Sequence, residues 1–458
     1  MTKLLNVSTK RHIYFVTLIG LGFLWTGVAY IIQAYRLLGV LDAGTVNLLV
    51  CGVYYVCQAL GIGAVGLLFA KRATLAGGRL LPLYATVITL ASTAISLYSS
   101  SLALIIASGT LLNIAIGVLS AAFLTRLTTD IPQQRRGLVF GSAYAFGSIG
   151  TWLLSLPMGG RFLWHKTSIF AIAALAALSL LLVYKLPLPA KIDKSIGHMS
   201  GKFDKKFILH AIVVLFLLSM VNTLGFSFPL KGAVNSVYIE FTRAFYGVGL
   251  ITAGILNDRS RRWGALCCVA ALAFPFAALS LGNNVAGETA MWMIAYLFMG
   301  FWSVYRIIVF SDISGKSGNL LFAVFGLLAG RLGEAAGTLG SALFTGLPLV
   351  VITAAVFVLV ILLFSLLYQK LYNPPISPEE AEKRLMIEYT SRFGMSAREQ
   401  EIFSFIIQGM SNTEIANALY ITDSTVKFHV GNIFKKTGFK SRLDLIAHYR
   451  LGNMTDIN

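Results

Sequence analysis

Runs of about 20 predominantly apolar residues recur through residues 1–369, and no other feature of this 458-residue chain restricts its fold as strongly. A helix of that length crosses a ~30 Å hydrocarbon core and satisfies its own backbone where water is absent. The runs lie near 12–35, 46–70, 80–99, 102–125, 137–157 and 167–186, and, after a polar stretch from Leu188 to Lys206, near 207–230, 238–256, 264–283, 288–310, 319–343 and 347–369. They predict an all-α chain: a polytopic membrane helix bundle of about 12 spans, arranged six and six. Hydrophobic residues make up 57% of the chain and charged ones 12%, against roughly 45–50% and 25% in soluble domains. That balance excludes a soluble globular enzyme, a disordered chain and a disulfide scaffold.

Charge is distributed unevenly. Residues 370–458 carry 11 Lys+Arg and 10 Asp+Glu, which leaves 26 and 9 for residues 1–369. The basic excess thus sits in the apolar part, where Lys and Arg of short loops set orientation. Lys71, Arg72 and Arg79 follow span two, Arg126, Arg135 and Arg136 follow span four, six lysines fill the central loop, and Arg259, Arg261 and Arg262 follow span eight. All fall on one side if both termini are cytoplasmic; Arg161, Lys166, Lys231 and Arg243 oppose the bias without reversing it. The expected location is the cell membrane. The basic N-terminus before an apolar run has no small-residue cleavage site behind it, so it reads as an uncleaved first helix. Cys51, Cys57, Cys267 and Cys268 all lie in apolar runs without a CxxC or Cys/His cluster, so they read as buried thiols; no metal and no cofactor are expected.

Two further features mark the apolar part. The segment Gly254-Ile-Leu-Asn-Asp258-Arg259-Ser-Arg261-Arg262-Trp-Gly264 joins spans eight and nine. Together with the six-plus-six pattern it resembles the major facilitator superfamily, in whose cytoplasmic loop signature a carboxylate and arginines (here Asp258, Arg259 and Arg262) hold neighbouring helix ends together. The corresponding first-half loop, Phe69 to Arg79, keeps the bases and glycines but lacks the Asp. Arg331 and Glu334, at i and i+3 in span eleven, share a helix face and are candidates for a membrane ligand site or a structural ion pair. Arg306, near the end of span ten, and Glu240 with Arg243, at the start of span eight, are the other intramembrane candidates. Spans one to six hold no carboxylate in their middles, which argues against vigorous proton-driven transport.

Beyond Lys370 the composition changes. Asn373-Pro374-Pro375 breaks the last span, and Ser377-Pro378-Glu379-Glu380 starts a connecting helix that runs to about Ser391, giving a linker region of 370–394 before a domain of 395–458. Capping boxes follow at Ser396-x-x-Glu399, Ser411-x-x-Glu414 and, with Asp in place of Glu, Ser441-x-x-Asp444; Thr422 to Thr425 can cap another helix. Gly409 and Gly438 stand where helix C-terminal glycines belong. Four short helices are expected, near 397–408, 412–419, 424–437 and 442–450, with the middle two forming a helix-turn-helix. If Val426, Val430 and Ile433 face inward, the second of these shows Thr425, Lys427, Phe428, Asn432, Lys435 and Lys436 outward. Five bases and no acids lie between Thr425 and Arg442, a local positive face suited to phosphate. The plainer alternative is a solvated face on a generic helical bundle.

The run from Met395 to Ile402, the segment Gly409-Met-Ser411-Asn412-Thr-Glu414-Ile415-Ala416, and the stretch Leu419 to Gly438 followed by Ser441-Arg442 closely resemble the LuxR-type helix-turn-helix domain. The resemblance implies that the second helix enters the major groove of double-stranded DNA, that the domain binds as a homodimer and that the last helix dimerises. It implies phosphate contacts for Thr425 and Lys436 and base-edge contacts for Lys427 and Phe428, while Glu399, Gly409, Glu414, Ala416, Val426, Val430, Ile433 and Gly438 hold the fold. Gly431 departs from the polar or basic residue often found at its position. His429 reads as structural. The function expected is a membrane-embedded one-component transcription regulator, not an enzyme, whose partners are double-stranded DNA, the lipid bilayer and an unknown small-molecule ligand. The alternative is a secondary transporter with an accessory DNA-binding tail.

Overall fold

A computed structural model describes residues 2–72, 74–75, 78–155, 168–185, 205–227, 239–279, 285–372 and 378–455. Every regular element among them is helical, and the chain divides into two compact units, Met1–Tyr372 and Asn373–Asn458.

The first unit is the helix bundle. Its first half comprises α1 (Thr2–Leu38), α2 (Tyr54–Lys71, preceded by a short helix Ala43–Asn47 and a π-helical turn Leu48–Val53), α3 (Leu80–Tyr98), α4 (Leu102–Asp130), α5 (Arg136–Ser155) and α6 (Ser168–Lys185). The second half comprises α7 (Lys205–Phe226), α8 (Ile239–Arg259), α9 (Arg261–Ala270), α10 (Val285–Ser317), α11 (Phe325–Leu343) and α12 (Leu347–Tyr372). Among the described residues ten helices are long and apolar enough to cross a membrane. The expected spans eight and nine fall partly on residues outside those described, and are helical where they are described. Helix α8 ends in Asn257, Asp258 and Arg259, and α9 tightens into a 3-10 turn at Ala271–Ala273 before Phe274–Leu279, where Pro275 lacks the N–H a regular helix needs.

Lipid is as apolar as the side chains, so close backbone packing, rather than exclusion of water, holds such helices together. A Cβ on Gly117 would collide with the Gln58 carbonyl, where α4 meets α2; one on Gly249 would collide with the Leu297 carbonyl, where α8 meets α10. Glycine at these positions permits the approach. Leucines and valines of α12 such as Leu347, Val351, Val358 and Leu362 face outward and are exposed, as a lipid-facing surface requires. One apolar cluster joins the halves: Phe15, Ile62, Leu124 and Phe140 pack with Leu250, Phe301, Val304 and Val324. A second cluster, including Leu215, Leu218, Trp302, Tyr305 and Phe364, lies within the second half.

The second unit contains α13 (Pro378–Arg392), α14 (Ala397–Ile407), α15 (Asn412–Ala418), α16 (Asp423–Thr437) and α17 (Arg442–Thr455), within a few residues of the expected boundaries. Its starts are fixed by local chemistry. Ser396 and Glu399 close a reciprocal capping box, as do Ser411 and Glu414, and the Thr422 hydroxyl accepts from the Thr425 N–H at 3.3 Å. Gly409 and Gly438 adopt left-handed φ of 86° and 78°, which ends the preceding helices without the strain a side chain would bring. Tyr420 adopts φ 54° in the turn between α15 and α16. Ile402, Phe403, Ile406, Ile415, Val426, Ile433 and Leu445 form a buried core.

Candidate nucleic-acid interface and a buried charge triad

Helix α16 is amphipathic in the expected sense. Val426, Val430 and Ile433 are buried against α14 and α15, and Ala416 of α15 is buried beside them. On the other face, Lys427 and Phe428 are about two-thirds exposed, and Lys435 is exposed; Thr425 and Asn432 are half-buried. The Lys427 ammonium sits 2.7 Å from Asp423 one turn back, a pair on the solvated surface that a phosphate can displace. Thr425 shares its hydroxyl with that of Thr422 at 2.8 Å. Gly431 leaves open space, so the departure from the usual polar residue is a gap in the positive face and not a packing requirement.

Lys436 is exposed too, but its ammonium has partners within the domain. Its ammonium donates to Glu399 Oε2 at 2.6 Å and to the Gly394 carbonyl at 2.9 Å, tying the end of α16 to the start of α14. Burial opposes charge on Glu399, but Lys436 and the Ser396 N–H outweigh it and hold the carboxyl below the usual carboxylate range. The Ser411 N–H holds Glu414 low in the same way. Arg442, at the start of α17, donates to Asn412 Oδ1 at 3.3 Å and so joins α17 to α15. Tyr420, which the sequence reading passed over, is almost fully exposed beside the helix-turn-helix turn.

In the bundle, Arg331 and Glu334 do pair, at 2.7 Å, and a third group joins them: Arg306 Nη1 donates to Glu334 Oε1 at 2.6 Å. Helix α10 runs on to Ser317, so Arg306 lies well inside it and not near its end, which brings it level with α11. The Arg306 guanidinium lies 4.0 Å over the Trp302 ring and that of Arg331 lies 4.3 Å over Tyr55. The side chains of Glu240 and Arg243 fall outside the described residues.

At one end of the bundle, Asp258 accepts from the Gly137 and Leu138 N–H groups at 2.8 and 2.7 Å, capping the first turn of α5 with a carboxylate. Arg261 bridges Asp258 at 3.1 Å and Asp312 at 2.7 Å, and Arg136 reaches Asp312 at 3.3 Å. Arg261 thus joins Asp258 at the centre of this cluster, while Arg259 and Arg262 of the same loop are exposed. Among the described residues, no group of His, Cys, Asp and Glu is arranged to hold a metal ion.

Comparison with known proteins agrees with both units. The family described as bacterial regulatory proteins, luxR family, matches residues 394–449. Spore germination protein GerE of Bacillus subtilis (strain 168) is 32% identical over 68 residues, which is 15% of this chain and 92% of that protein. The CsgBAC operon transcriptional regulatory protein and the nitrate/nitrite response regulator protein NarL, both of Escherichia coli (strain K12), are 42% identical over 53 residues and 46% over 50. This chain spans about a quarter of each of these two, 24% and 23%, and the matches take up 12% and 11% of it. The bundle superposes on the major facilitator transporter FucP in its outward conformation, with a TM-score of 0.51 at 15% identity, covering 76% of this chain and 98% of FucP. It superposes on the human organic anion transporter MFSD10 with a TM-score of 0.54 at 17% identity, covering 78% and 98%. At such identities the likeness is one of fold. The families matched are of regulator and transporter type. With its helix-turn-helix carried behind a multi-pass membrane bundle of the major facilitator fold, this chain belongs to the luxR family of bacterial regulatory proteins.

Proposed function

We propose that this protein is a membrane-embedded one-component transcription regulator: the bundle binds a small molecule and the tail, as a dimer, occupies operator DNA. The observation that carries the reading is α16, whose apolar stripe is buried while Lys427, Phe428 and Lys435 stand out on a family-typical recognition helix. Lys427 and Phe428 read base edges; Thr425, Asn432 and Lys435 approach the backbone, and Lys436 serves the fold first. The basic loops favour both termini in the cytoplasm of a cell-membrane protein, where the tail meets DNA. Coupling needs only a ligand that binds two bundle states with different affinity, since a rocking of the two halves then repositions or pairs the tails. The site chemistry calls for no enzyme activity and no cofactor.

The test is a mobility shift with residues 377–458, a unit with its own core, on DNA upstream of its own and neighbouring genes. A salt-steep, sequence-selective shift that weakens on Lys427→Ala supports the reading. No shift at low salt and high protein sinks it. The second reading, a secondary transporter with an accessory DNA-binding tail, draws on the transporter fold of the bundle; uptake into proteoliposomes separates the two.

A further inference from the structure

Between the two halves, α1, α4 and α5 on one side and α10 and α11 on the other enclose a cavity of about 570 Å³ of non-atom space, part of it open to solvent. Its wall combines aromatic rings, Phe23, Phe123, Phe140 and Tyr144, with two guanidiniums, Arg306 and Arg331. Among the lining residues there is no carboxylate. Among the described residues the one acid paired with these arginines is Glu334, shared between them, so the triad keeps a net charge of +1. The Nε atoms of both Arg306 and Arg331 are buried and have no hydrogen-bond partner, and the Arg306 side chain is only 3% exposed. A buried guanidinium with a free edge is costly, and its planar fork fits a carboxylate or a similar oxyanion.

From these observations we propose that the cavity binds an organic anion, its acidic head on Arg306 and Arg331 and its apolar, preferably aromatic, body among the four rings. The net positive wall disfavours an organic cation. The assignment rests on the reading of the bundle as a ligand sensor and adds to it the chemical class of the ligand. Glu334 then acts as a resident carboxylate that neutralises part of the site and competes with the incoming one. Its removal has a sign that a purely structural triad would not produce.

The experiment uses the full chain in lipid nanodiscs, with 1-naphthoate, its neutral amide and 1-naphthylmethylamine as probes, read by calorimetry, with operator occupancy followed in the same samples. Naphthoate is expected to bind at least about tenfold tighter than the amide, and the amine not at all. Arg331→Gln is expected to weaken naphthoate about tenfold and Arg331→Lys less, because the charge is kept but the fork is lost. Glu334→Gln is expected to tighten naphthoate several-fold. Equal binding of acid and amide, preference for the amine, no binding of naphthoate, or a Glu334→Gln variant that folds with unchanged affinity would each overturn the assignment. If a variant does not fold, the acid-against-amide comparison on the unaltered protein decides alone. Naphthoate that binds without changing operator occupancy keeps the anion site and removes the sensing role; occupancy that answers only to the amide does the reverse.

Discussion

At Lys436 two demands fall on one ammonium. Its position near the end of a recognition helix suits a phosphate, yet it is already spent on Glu399 and the Gly394 carbonyl. Lys436→Ala would leave a buried carboxylate short of its cation, and we expect the tail to lose about 1–2 kcal/mol, the pair being partly solvated. Lys427 has only a surface partner, so Lys427→Ala should leave stability within about 0.5 kcal/mol while lowering the salt dependence of DNA binding by about one unit of slope. Urea unfolding and salt titration of the isolated tail check both; equal destabilisation by the two substitutions would contradict this division of roles. Glu399 gives the same region a pH signature. Its carboxyl is depressed in the folded state, so the unfolded chain binds more protons as acid is added. The stabilisation is therefore complete above the unfolded value of about 4.3 and is lost as pH falls through the lower folded value. Urea midpoints measured from pH 6 down to pH 3 should fall more steeply for the native tail than for Glu399→Gln.

At the scale of the element, the tail is a set of short helices whose ends are secured individually. Replacing Ser411, whose hydroxyl accepts from the Glu414 N–H at 3.3 Å, by Ala should cost about 1 kcal/mol. Position 431 runs the other way. A Cβ there meets nothing within 4 Å, and Gly in a helix interior costs about 0.8–1.0 kcal/mol relative to Ala. Gly431→Ala should thus raise the thermal midpoint of the tail by about 4–8 °C. An unchanged or lower midpoint, recorded by circular dichroism, would mean that α16 is not continuous through this residue. These ends were legible in the sequence because caps act over three or four residues. The break of the ninth expected span at Ala271–Ala273 was not, although Pro275 lies just beyond it, because an apolar run reports burial in lipid and says little of regularity within it.

For the whole bundle, the critical contacts join the halves. Asp258 of α8 caps α5, and Arg261 and Arg136 converge on Asp312 of α10. Asp258→Asn and Arg261→Gln should each lower the unfolding temperature in detergent, and together by less than the sum, with a coupling of about 0.5–3 kcal/mol. Strict additivity would show that the network is incidental. The first-half loop from Phe69 to Arg79 carries no acid to match Asp258.

Local and one-dimensional properties were settled by the sequence: membrane-length apolar runs, the change of composition past Lys370, capping boxes, and the signature of a helix-turn-helix. Each depends on neighbours a few residues apart, or on hydropathy summed over a window. What the tertiary structure decided depends on partners distant in the chain. Lys436 meets Glu399 across 37 residues, Arg306 meets Glu334 across 28, and Asp258 meets Gly137 across 121. Arg331 and Glu334 could be read as a pair because one helix turn brings them together, but the third charge, the two rings beneath the arginines and the cavity they face come from other helices. Periodicity specifies which face a helix buries; only packing specifies what that face meets.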